Sequence, residues 1–178
     1  MSTTRHRALD AAVDLIGAEG IRALTHGRVD TAASLPPGST SNHFRTRAAL
    51  VAGVIEWIAA AERRDAGAPE FHTREDFVAG LSRMIEIQSG PLAARTRARY
   101  ALFLEADAEA GRPLREQRIR FEGWVRSILF DLGETDATQR APFLMAAAEG
   151  LLLHRLTVDP HAPIEPVITR AVDAALRD

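Results

Sequence analysis

The chain has 178 residues, 46% of them hydrophobic, which suits one or two small domains with a packed core and argues against a disordered segment. It has no cysteine, so disulfides and thiolate metal sites are excluded and a reducing cytoplasmic setting is expected; no run nears the roughly 18 apolar residues of a membrane span, and the N-terminus lacks a signal peptide's apolar centre. The net charge of −2 is unevenly placed: residues 1 to 50 hold six arginines against four acids and the remainder 16 against 20, so a slightly basic head precedes an acidic body, as suits a protein that offers its N-terminus to a polyanion.

Apolar residues recur at helical spacing almost throughout, and strand-like alternation is nearly absent. Leu9, Ala12, Val13 and Ile16 form one face of a first helix, which Gly20 is expected to end in a left-handed cap. A short second helix begins at Thr25, an N-cap residue, and carries Val29, Ala32 and Ala33. The polar stretch "PPGSTSNHF" (36–44) follows. A long helix then starts at Thr46, carries Leu50, Val54, Trp57, Ile58 and Ala61, and stops near "DAGAP" (65–69). Thr73 caps the next helix, with Phe77, Leu81, Met84 and Ile85, ended by "SGP" at 89–91. One helix follows Pro91 to the "GRP" break at 111–113, and another runs from about Pro113 to Leu132. Residues 138 to 157 form the most apolar helix, and "EPVITRAVDAALR" closes the chain. The fold class is therefore all-α, with about nine helices: a three-helix head (1–45) and a longer helical bundle (46–178).

Two short helices joined by a turn, the second starting at a proline, fit a helix-turn-helix. Leu9, Val13, Ile16, Leu24, Val29, Ala32, Leu35 and Phe44 supply its core, and "GSTSN" is small and polar enough to let a backbone approach a duplex. Pro36 is expected at the N-cap and Pro37 as the first helical residue. Pro36 brings no capping oxygen, which leaves the helix's remaining amides open to a phosphate. The spacing alone leaves a plain polar loop as an equal alternative.

Residues 5 to 55, with paired alanines in the first helix, Gly20 at its end, "ALT" at 23–25, the Gly-x-x-x-x-His-Phe pattern of 38–44 and Arg47 opening the fourth helix, resemble the DNA-binding domain of the TetR family of transcriptional repressors. The resemblance implies a homodimer whose larger C-terminal domain binds a small-molecule effector that releases a double-stranded DNA operator. It implies that Thr25 and His26, with Arg28, lie against phosphate. Pro37, Gly38, Ser39 and Asn42 would face the major groove, and Ser41 and His43 its phosphate wall. Arg47 would clamp a phosphate, with Arg45 as a second contact. Three residues depart from the family pattern: Ser41 stands for a tyrosine, Thr40 for a leucine, and Gly27 for a longer polar residue. Each is expected to shorten the reach of the head.

Beyond residue 60 the resemblance is looser. Ligand-lining candidates are the large groups of the middle helices: Trp57, Phe77, Met84, Tyr100, Phe103, Leu104, Phe121 and Trp124. Ordinary core packing is the competing role for each of them. The helix from Gln139 to Leu156 is apolar around much of its circumference, so Leu144, Ala147, Ala148, Leu151, Leu152 and Arg155, with Ile168 and Val172 of the last helix, are expected to form a dimer interface. No nucleophile elbow, Walker loop, dinucleotide fingerprint or His-Glu-x-x-His helix occurs, and the six histidines lack ligand spacing, so neither an enzyme nor a cofactor or metal site is expected. A helical interaction protein that has lost DNA binding is the alternative that the shortened contact residues leave open.

Overall fold

The computed structural model describes residues 3–66, 70–107 and 109–176, excluding the side chain of residue 66. Its described residues form nine α-helices and no strands: α1 (Thr4–Glu19), α2 (His26–Ala32), α3 (Ser39–His43), α4 (Arg47–Ala66), α5 (Arg74–Ser89), α6 (Ala93–Glu105), α7 (Arg112–Asp131), α8 (Ala137–Thr157) and α9 (Glu165–Ala175), with a 3-10 turn at Ile21–Ala23. The expected "DAGAP" stop and the end of the last helix fall partly outside the described residues.

The helix starts follow local chemistry. Thr3, Thr25 and Thr73 are N-caps whose hydroxyls accept from the amides of His6, Arg28 and Asp76, and Thr46 accepts from the amide of Ala49 at 3.0 Å. Gly20 ends α1, donating its N–H to Ile16 O. Its φ of 81° is positive as expected, but its ψ of 172° lies outside the left-handed helical well, because the chain leaves directly into the 3-10 turn.

The chain divides into two compact units, residues 1–67 with 94–117 and residues 68–93 with 118–178. This division differs from a boundary at residue 45. In the first unit, Leu9, Val13, Ile16, Leu24 and Val29 of the head share one core with Leu50, Val54, Ile55 and Ile58 of α4 and with Ala98, Leu102 and Leu114. Head and α4 are thus continuous. Gly17 makes the first unit close-packed at α6: a Cβ there would overlap the carbonyl of Ala94. Arg99 of α6 is buried and bonds Glu62 of α4 at 2.9 Å, and Arg95 bonds Asp65 at 2.5 Å. Burial opposes the charge on Arg99, but Glu62, with Tyr100, outweighs it and holds the guanidinium above its ordinary pKa.

In the second unit, α5, α8 and α9 pack together through Phe77, Leu81, Ile85, Leu144, Leu152, Ile168 and Val172, all buried. Arg74 pairs with Asp173, tying α5 to α9. Phe71 lies tilted against Phe77 (ring centroids 5.5 Å apart) and Trp124 (5.9 Å), and Trp124 against Phe121 (5.2 Å).

Candidate nucleic-acid interface

The head presents α3 between α2 and α4, and the sequence explains most of its outline. Phe44 ends α3 and is buried in the shared core, so the residues before it are carried on a fixed anchor. Thr25, Arg28, Pro37, Gly38, Ser41, Asn42, His43, Arg45 and Arg47 are exposed, while His26 and Ser39 are half-buried. The structure brings these expected contact residues onto the surface of one small helical unit.

Several of them are held by protein partners. His26 Nε2 lies 2.6 Å from the carbonyl of Phe44, joining α2 to the end of α3. Arg28 is paired with Glu19 at 2.5 Å, and that pairing holds the arginine above and the glutamate below their ordinary pKa values. Arg47 donates to the carbonyl of Ile21 at 2.8 Å, so it fastens the start of α4 to the 3-10 turn. Arg7 similarly donates to the carbonyl of Ala33 at 2.7 Å.

The start of α3 departs from the sequence expectation. Pro36 and Pro37 precede the helix, Gly38 is its N-cap at φ 88° and ψ −6°, and Ser39 is its first residue. A left-handed N-cap suits glycine, since a Cβ in that conformation collides with the backbone. The amides of Gly38, Ser39 and Thr40 are also not left open. Ser39 donates its N–H to Pro36 O at 3.1 Å. The amides of Gly38 and Thr40 donate to Asp30 Oδ2 and Oδ1, each at 2.8 Å, and the Thr40 hydroxyl donates to Oδ1 at 2.5 Å. Asp30 comes from α2 and is buried, and Thr40 is completely so.

This also corrects the reading of Thr40 as a shortened contact: its side chain faces inward. Ala32, expected in the core, is exposed, because the seven-residue α2 turns Val29 and Asp30 inward instead. Burial pushes the Asp30 carboxyl up, but the hydrogen bonds from Thr40 and Gly38, helped by His26, outweigh it and hold the group below the ordinary aspartate value. Sequence reasoning missed Asp30. The usable signal was an acid beside Val29 on the inner face of α2, ahead of a helix whose start has no capping side chain.

The ligand candidates fall into two groups. Trp57, Tyr100, Phe103 and Leu104 belong to the first unit, and Phe77, Met84, Phe121 and Trp124 to the second. Leu104 is 86% exposed and lines no interior. Trp57 donates its indole N–H to Asp10 at 2.8 Å and stacks on His6 at 4.8 Å, a tie between α4 and α1. Phe77 is fully buried core. None of the eight lines a groove of about 750 Å³ in the second unit, which has Arg74, Ser82, Arg83, Glu86, Arg155 and His161 among its walls.

The expected dimer residues are also mostly covered. Leu144, Leu151, Leu152, Ile168 and Val172 are buried within the chain itself, Ala147 and Ala148 are half-buried, and Arg155 bonds Ser89 and the carbonyl of Ala162. The apolar surface that α8 leaves exposed is another face, carrying Phe143, Ala146, Gly150 and Leu153. The expectation followed hydrophobicity, which cannot tell a face covered by α5 and α9 from one left open.

Residues 72–178 match the family model described as the C-terminal domain of tetracycline-repressor-like proteins. A TetR-family member from Streptomyces coelicolor A3 is 27% identical with TM-score 0.76, over 99% of this chain and 100% of that chain. A Rhodococcus sp. protein described as a TetR-family transcriptional regulator is 25% identical with TM-score 0.75, over 99% of this chain and 100% of that one. The multidrug binding protein EbrR, in complex with ethidium, is 26% identical with TM-score 0.68, over 97% of each chain. No curated protein sequence matches the chain.

Proposed function

The chain belongs to the TetR family of transcriptional regulators, and from that premise we propose that it is a DNA-binding repressor acting as a homodimer in the cytoplasm and released by a small-molecule effector. The observation that carries the reading is the exposed surface of the head. Asn42, Ser41 and His43 project from a short helix between two arginine-bearing segments, Thr25–Arg28 and Arg45–Arg47. Small polar groups suit base edges, and the flanking arginines suit phosphate.

Dimerisation through the exposed face of α8 would hide Phe143 and Leu153, which are 49% and 46% exposed. Two-fold symmetry would then set two reading helices about 34 to 36 Å apart on a roughly palindromic site. The effector reading is supported by EbrR, which is described as a multidrug binding protein and was solved with ethidium. The half-buried aromatic group Phe71, Phe121 and Trp124 provides ring faces of the kind such a planar ligand stacks on. No described helix is long and apolar enough to cross a membrane.

The test is duplex binding across a salt series. Affinity is expected to fall linearly on a log-log plot, and one sequence selected from a randomised duplex pool should bind far better than a scrambled one. Arg45→Ala is expected to weaken both duplexes about equally and flatten the slope by about one. A protein that enriches no sequence and shows no salt dependence would instead be a helical interaction module.

A further inference from the structure

We infer that Asp30 is the positioning residue of the reading helix: reaching across from α2, its carboxylate replaces the missing N-cap and sets the rotation at which Ser39 and Asn42 meet a duplex. The inference rests on the DNA-reading function proposed above. Its basis is an accounting of donors at the start of α3. A helix start leaves several amides without intrahelical partners, and a side-chain oxygen at the N-cap ordinarily takes one of them. Gly38 has no such oxygen. The nearby hydroxyls do not substitute, because Ser39 Oγ donates to Pro36 O at 2.6 Å and Ser41 Oγ donates to Gly38 O at 2.9 Å. Asp30 is the acceptor that takes the amides of Gly38 and Thr40.

The geometry does more than satisfy donors. The two amides go to different carboxylate oxygens, and the Thr40 hydroxyl makes a third bond. A single bond would leave α3 free to swivel about it, whereas two bonds from residues on either side of Ser39 fix its rotation. A five-residue helix cannot hold itself, since nucleation is costly and few internal bonds repay it. Its orientation is therefore what its neighbours impose: Asp30 at the start, and Phe44 with the His26 contact at the end. Because the carboxylate occupies the amides of Gly38 and Thr40 and brings its own negative charge, it disfavours phosphate at the start of α3, and the phosphate contacts fall to the flanking arginines.

The experiment uses the full-length protein and the duplex that the wild type enriches from a randomised pool, with a scrambled duplex as reference. Asp30→Asn keeps the shape but sets an NH2 group against an amide donor. Thr40→Val removes one bond at constant volume, and Thr40→Ser restores it. Thr40→Val is expected to lose about tenfold on the enriched duplex and little on the scrambled one, with the salt slope unchanged and Thr40→Ser close to wild type. Asp30→Asn should lose more in the same pattern. Equal losses on both duplexes, following the folded fraction measured by circular dichroism, would reduce Asp30 to a stability role and overturn the inference. Amide hydrogen exchange in the DNA-free protein reads the clamp directly: Gly38 and Thr40 should be protected in the wild type and exchange at least about tenfold faster in Asp30→Asn. Unprotected wild-type amides would refute the clamp. Failure to enrich any sequence would refute DNA reading, with the exchange result still deciding whether Asp30 holds α3.

Discussion

The starts of α2 and α3 solve one problem in two ways. At α2, Thr25 lies next to the helix it caps and its hydroxyl accepts from Arg28 three residues on, at 3.3 Å. At α3 the cap is Asp30, eight and ten residues away along the chain and on another helix. The first is a local device that would form in any helix with that sequence. The second exists only when α2 and α3 are already packed, so capping and assembly of the head are one event. A local cap stabilises its own helix; a tertiary cap stabilises an angle between two.

That contrast can be broken by mutation. Asp30→Ala should have the largest effect, because it strands two amides and a buried hydroxyl together; a loss of about 3 kcal/mol is expected in urea unfolding. Replacing both partners with apolar groups, Asp30→Ala with Thr40→Leu, is expected to recover part of that loss, since the hydroxyl no longer needs an acceptor. Gly38→Ala comes next, at about 1–2 kcal/mol, because alanine must adopt the left-handed conformation held at φ 88°. Thr25→Ala should cost about 1 kcal/mol, the ordinary value of a local cap. If Thr25→Ala matched Asp30→Ala, the distinction between the two caps would fail.

The smallest effect concerns acid. The Asp30 carboxyl is held below its ordinary value of 3.8, so its contribution to stability is complete above about pH 4 and is lost as the pH falls through the lower native value. Asp14 acts in the opposite sense: burial and the neighbouring Asp10 raise its pKa, so it favours the native state at low pH and loses that contribution as the pH rises. Asp30→Asn should therefore flatten the acid side of the stability profile below about pH 4, measured by urea midpoints, and Asp14→Asn should not.

Most helix starts were legible because their causes are local. Thr25, Thr46 and Thr73 each sit next to the amides they serve, and the apolar period marked the buried faces of α1 and α4. What could not be read was which of several apolar faces a neighbour covers. On α8, Leu144, Leu151 and Leu152 were expected to meet a partner, but packing with α5 and α9 buries them and leaves Phe143 and Leu153 exposed instead. The same limit hid the roles of Thr40 and Ala32, whose types gave no sign of which points inward.

By itself the sequence determined an all-helical chain and most of the exposed residues of its three-helix head, because periodicity and capping act over a few residues and need no knowledge of distant partners. Only the tertiary structure decided that α3 begins behind a Gly38 N-cap, that the amides of Gly38 and Thr40 are closed by Asp30, and that α4 and α6 share a core with the head. Those facts depend on groups far apart in the chain meeting at hydrogen-bond or van der Waals distance, and residue type does not encode which of them will meet.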